Sequence, residues 1–108
     1  PEIIEAKFDP ARVLADGHTI ITLRVYFNNA GRLADINQAM VNLNSLGFSE
    51  LVPLVADKES DLLASAGWFS ARFTVPEAVK AGNYSVTISA TNLAGGMVTG
   101  SLVLKVVR

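Results

Sequence analysis

The sequence predicts an all-β fold, a sandwich of two antiparallel sheets with about seven strands and Greek-key connections. Three observations predict it. Apolar residues recur with period 2 in one segment after another, glycine-bearing turns separate those segments, and no stretch sustains a long 3.6-residue periodicity. The 108 residues suit one domain, with half of them hydrophobic and 18% charged, too apolar a mixture for a disordered chain.

The elements follow in chain order. Ile4, Ala6 and Phe8 are expected to face inward on a first strand that stops at Asp9-Pro10, because proline removes a ladder donor. Val13 and Leu14 offer a short continuation. The second strand, residues 19 to 27, alternates most cleanly: Ile21, Leu23, Val25 and Phe27 take one face, and Thr22, Arg24 and Tyr26 the other. Asp16-Gly17 turns the chain into it and Asn28-Asn29-Ala30-Gly31 turns it out, since Asn and Gly accept positive φ.

The third strand runs from Ile36 to Leu43, with Ile36 out of phase with Ala39, Val41 and Leu43, so a bulge is expected. Leu51 to Val55 reads as a short strand that Pro53 confines to a sheet edge. One or two helical turns are expected in DKESDLLASAG, capped by Asp57 or Ser60 and ended by Gly67. Phe69, Ala71, Phe73 and Val75 then alternate with Trp68, Ser70, Arg72 and Thr74. The sixth strand alternates Tyr84, Val86, Ile88 and Ala90 with Ser85, Thr87, Ser89 and Thr91. A hairpin loop from Asn92 to Gly96 leads to the last strand, Met97 to Val107. Phe27, Phe73, Tyr84 and Leu104 are expected to lie between the two layers.

Gly82-Asn83-Tyr84 has the spacing of a tyrosine corner, in which the phenol hydroxyl returns to nearby backbone. Val86 then stands where an antibody domain has its second cysteine. Apolar packing would replace the disulfide, and Trp68 lies in the wrong strand to be the antibody tryptophan.

Taken in order, PEIIEAKFDP, ADGHTIITLRVYFNNAG, INQAMVNLNSLG, FSARFTVPEAVKAGNYSVTISATNLAGG and the final apolar strand resemble the bacterial Ig-like modules, invasin-like or filamin-like, of secreted and cell-surface proteins. The resemblance covers nearly the whole chain. It implies an immunoglobulin-like Greek-key β-sandwich of about seven antiparallel strands, located outside the bacterial cell, at its surface or in the periplasm. Many such modules carry an acidic, glycine-rich loop before the fifth strand. Here that region is ADKESDLLASAGWF, with only Asp57, Asp61 and Gly67 near equivalent places, and this departure weakens any calcium role carried over from the family.

Composition excludes several function classes. A formal net charge of -1, with no run of basic residues, leaves nothing to neutralise a phosphate backbone. The absence of cysteine rules out a disulfide framework, a thiolate metal site and a thiol nucleophile. LVLKVV is interrupted by Lys105 and falls far short of the roughly 20 residues of a membrane-spanning helix. The chain opens at Pro1 with neither a basic n-region nor a signal-like apolar stretch, and we read residues 1–108 as a domain excised from a longer protein.

No catalytic residue can be nominated. His18 is the only histidine; with no cysteine or second histidine beside it and no nucleophile on a strained elbow it builds neither a zinc site nor a Ser-His-Asp triad, and it reads as a solvent-exposed residue in the turn beside Asp16. GFSEL is not a nucleophile elbow. Gly95-Gly96 sits in a hairpin and not between strand and helix, so it cradles no phosphate. Asn83-Tyr84-Ser85 matches a glycosylation sequon by a short pattern that chance supplies often.

Asp57, Glu59 and Asp61 have the spacing that opens an EF-hand loop, but Leu62 and Trp68 stand where glycine and the bidentate glutamate belong. An irregular calcium site from these three carboxylates is the functional reading, and a solvated, helix-capping acidic face is the plain one.

If the second and fifth strands are antiparallel neighbours, keeping their inward faces aligned sets Tyr26 opposite Trp68 and Arg24 opposite Ser70 on the outer face. Such an aromatic pair would give a flat platform for a sugar ring or a neighbouring domain. Its plain reading is an ordinary cross-strand pair, or one covered by the segment 57–66.

Strands alternating in direction place the chain's two ends at opposite poles, so such modules can be strung in tandem. The sequence is therefore read as a non-catalytic structural or adhesive spacer whose partners are neighbouring domains of its own chain, a glycan or another surface protein. A carbohydrate-binding module and an accessory domain of an extracellular enzyme are the alternatives. No cofactor is expected beyond the calcium candidate.

Overall fold

A computed structural model describes residues 1–29, 32–33, 35–57 and 67–108. Among them the chain forms ten strands in two sheets packed as a sandwich. The strands are β1 (Glu2–Asp9), β2 (Arg12–Leu14), β3 (Ile20–Asn29), β4 (Arg32–Leu33), β5 (Ile36–Asn42), β6 (Val52–Pro53), β7 (Val55–Ala56), β8 (Trp68–Thr74), β9 (Gly82–Asn92) and β10 (Met97–Val107). One sheet runs β1-β3-β8-β7, with β4 paired to β3, and the other runs β2-β10-β9-β5-β6.

The core is the alternation made solid. Ile21, Leu23, Val25 and Phe27 of β3 are fully buried against Val41, Val86, Ile88 and Leu104 of the opposite sheet, with Phe73 almost as deep. Tyr84 packs on this cluster only partly buried, because its hydroxyl reaches the surface and donates to the Lys80 carbonyl at 2.6 Å, as the tyrosine-corner spacing predicts. The anticipated bulge in the third strand is present: the β5–β9 register shifts between Ile36 and Gln38. Pro53 sits on β6, an edge strand, where its missing N–H costs no ladder bond. At the β9–β10 hairpin, Asn92 Oδ1 accepts from the Gly96 N–H at 2.7 Å, and Gly95 takes a φ of 88° that a larger residue would resist.

Four expectations need correction. The strand count is ten rather than about seven, because two segments read as single strands divide between sheets and Arg32–Leu33, read as no strand, pairs with β3 as β4. Leu51 to Val55 becomes β6 on one sheet and β7 on the other, with buried Leu54 between them. Val13 and Leu14 do not continue β1: past Pro10 the chain changes sheets, and β2 pairs with β10 in parallel, the one parallel pairing among the described residues. Ile4 points to solvent, 50% exposed, because the β1–β3 register shifts between Ile3 and Glu5 and hands the inward position to Ile3. The last correction, to the aromatic platform, follows below. The helical turns expected over 57–66 and the turn through Ala30 and Gly31 lie outside the described residues.

No helix among the described residues is long and apolar enough to cross a membrane.

Candidate functional site

The outer face of the β1-β3-β8-β7 sheet gathers most of the chemically active side chains. Its register places Glu5 beside Tyr26 and Tyr26 beside Trp68 in one row, and Lys7, Arg24, Ser70 and Val55 in the next. The expected Tyr26–Trp68 and Arg24–Ser70 pairs are therefore present. Side chains two apart along each strand share this face, so each row sits against the row before it.

The rows form a cluster around the indole. The rings of Tyr26 and Trp68 lie 5.3 Å apart, tilted by 39°. The Arg24 guanidinium lies 4.7 Å and the Lys7 ammonium 5.6 Å from the centre of the Trp68 ring. Cations at these distances are drawn to the negative face of the π-system. Arg24 Nη2 also donates to Asp57 Oδ2 at 2.8 Å, and the Ser70 hydroxyl donates to the other oxygen of the same carboxylate. Beside Tyr26, a Cβ built on Gly67 would lie 2.8 Å from the ring and 2.7 Å from the Phe27 carbonyl oxygen. The Phe27 N–H in turn donates to the Gly67 carbonyl at 2.9 Å.

This geometry corrects the platform. Both rings are half-buried and tilted against each other, Gly67 packs on the tyrosine and two cations attend the indole. The pair is a tilted, cation-flanked cluster and not a flat open surface.

Of the three calcium candidates, Asp57 is largely buried and engaged with Arg24 and Ser70. Glu59 and Asp61 lie outside the described residues. Among the described residues no three His, Cys, Asp or Glu side chains are grouped to hold a metal ion.

His18 lies, as expected, in an exposed turn, its ring nitrogen 3.8 Å from Asp16. The organising group there is Asp16. Its carboxylate accepts from the Thr19 hydroxyl and from the backbone N–H groups of Thr19 and His18, which hold its pKa down at about 2.

At the pole where the β8–β9 loop lies, two adjoining shallow depressions of about 450 and 440 Å³ share Gly47 and Pro76. Phe48, Leu51 and Pro53 line one, and Leu46, Val79 and Tyr84 the other. Sequence reasoning missed them because segments some thirty residues apart build them, and no local pattern announces that meeting. It also missed the Asp57–Arg24 bond, which depends on two-residue β7 joining the sheet beside Ser70. For Lys7 a signal existed: once Arg24 faces outward, the neighbouring strand must bring another outward residue to its side.

No protein-family model matches the chain, and neither does any curated protein.

Proposed function

We propose that this chain is a non-catalytic immunoglobulin-like module, a structural or adhesive spacer of a bacterial extracellular or cell-surface protein. The strand orders β1-β3-β8-β7 and β2-β10-β9-β5-β6 support the Greek-key assignment, as does the Tyr84 hydroxyl bond at the start of β9. The extracellular setting rests on the resemblance of the chain's motifs to bacterial surface modules.

One observation carries the mechanical part. A Cβ built on Gly96, at the β9–β10 hairpin, would lie 3.2 Å from Pro1, whereas Arg108 at the far end of β10 donates to the Glu77 and Val79 carbonyls at 3.3 and 3.2 Å. The chain thus begins at one pole and leaves at the other of a body 40 Å long. Because β2 and β10 are parallel neighbours, tension between the two ends slides these strands along each other. Every bond of that ladder is loaded together instead of being opened one at a time.

Stretching a tandem array of this module in a force spectrometer tests the reading. We expect one abrupt unfolding event per module, at a lower force in Val13→Pro, which removes an N–H from β2. An array that lengthens smoothly, with no resisted step, rejects the spacer function.

The carbohydrate-binding alternative keeps one observation in its favour: Tyr26 and Trp68 lie side by side on an outer face. Binding of soluble glycans by the wild type, abolished in Trp68→Ala, would favour it; identical behaviour of the two proteins removes it.

A further inference from the structure

The edges of the two sheets are guarded unequally. β6 and β7 are two residues long, and Pro53 sits on β6. β1 carries Glu2, Glu5, Lys7 and Asp9 and a register shift after Ile3. Shortness, charge, proline and bulges are the ordinary means of keeping an edge from pairing with another chain.

β10 has none of them over most of its length. Its pairing with β9 runs without a shift from Met97 to Val106, and β2 covers its other side only at Lys105, Val106 and Val107. From Met97 to Leu104 no strand among the described residues pairs with that side. This stretch, MVTGSLVL, contains no charge and no proline. The face behind it is as bland: Thr91, Ser89, Thr87 and Ser85 stand opposite Met97, Thr99, Ser101 and Val103, with Gln38, Met40 and Asn42 beyond them on β5. Lys105 and Arg12 face each other where β2 begins.

We propose that this free edge pairs with the same edge of a second copy, antiparallel, about a two-fold axis at Gly100. The sequence is self-complementary about that residue. Met97 of one chain then meets Val103 of the other, and Thr99 meets Ser101, with each pair formed twice. Met97 and Val103 are the exposed apolar residues of this strand, at 70% and 59%, and the pairing gives each the other as cover. A register centred on Ser101 would instead oppose Met97 to Lys105. Ile3 does not obstruct the contact, since it meets Gly100 from inside the sandwich, where a Cβ would lie 2.9 Å from its tip. The two five-stranded sheets become one of ten strands, and the two-fold consumes both edges, so association stops at the dimer.

A single pair of eight-residue edges is small beside the ~1,000 Å² of a stable interface, so the dimer should depend on concentration. Sedimentation velocity from about 10 μM to about 1 mM tests this. The mass of the wild type is expected to rise from that of one 11.5 kDa chain toward twice that value. M97K/V103K sets ammonium against ammonium in both pairs, and its dissociation constant should rise at least about ten-fold. M97E/V103K sets carboxylate against ammonium in both pairs and should restore the dimer. The substituted positions are exposed, and an unchanged circular dichroism melt verifies that each variant folds.

A monomeric wild type across the whole range overturns the proposal, as does open-ended growth. A dimer equally strong in M97K/V103K places the interface elsewhere and also overturns it. Failure of M97E/V103K to recover the dimer overturns the register about Gly100.

Discussion

On one outer face of the sandwich, Arg24 binds Asp57 while Arg24 and Lys7 attend the Trp68 ring beside Tyr26; on the other, β9 and β10 present serine, threonine, methionine and valine with hardly a charge. Both faces rest on the same core and share the same pleat. They differ in what their side chains do to each other. On the charged face, each group is held by a neighbour two residues along or one strand across, so removing one disturbs several. On the bland face, side chains stand beside one another without mutual dependence. The first face is stabilised from within its own chain, and the second is left available.

Substitutions sharpen that contrast, and the largest effect is expected at Gly67. Its φ of 87° and the 2.7 Å approach to the Phe27 carbonyl leave no room for a Cβ. Gly67→Ala should cost about 3 kcal/mol, read as a lower midpoint in denaturant. Trp68→Ala comes next, at about 2 kcal/mol, since it removes the tyrosine contact and both cation contacts at once. Asp57→Asn should cost about 1 kcal/mol, because Arg24 is partly solvated and keeps the indole; Thr87→Ala on the bland face should stay within about 0.5 kcal/mol. Equal losses from Asp57→Asn and Thr87→Ala would abolish the distinction between the faces.

The smallest effect belongs to the Asp16 turn and is read by pH. Since its folded pKa is lowered from 3.8 to about 2, ionised Asp16 favours the folded state above pH 4. That contribution is lost as pH falls from about 4 toward about 2. The gap in melting temperature between wild type and Asp16→Asn should narrow across this window. A constant gap would assign the stability of the turn to something other than the carboxylate.

Much of the fold was legible wherever period 2 ran unbroken. Ile21 to Phe27, Phe69 to Val75 and Tyr84 to Ala90 each declared their buried face, and two such faces aligned were enough to pair Tyr26 with Trp68. Period 2 carries no such information where it slips or where the ladder is too short to have one. Period 2 alone points Ile4 inward, because nothing in EIIEAKF marks the extra residue of a bulge. The sheet change after Pro10 was invisible because proline signals a break and not a destination. Two-residue β7 has no period at all, so the approach of Asp57 to Arg24 emerges only from the assembled sheet.

The crossing at Pro10 has a further consequence. A single stretch, Glu2 to Leu14, closes one side of both layers: β1 caps β3 and β2 caps the lower part of β10. Trimming those residues would uncover two long bare margins where the intact molecule has part of one, turning a self-limiting particle into a building block for fibrils.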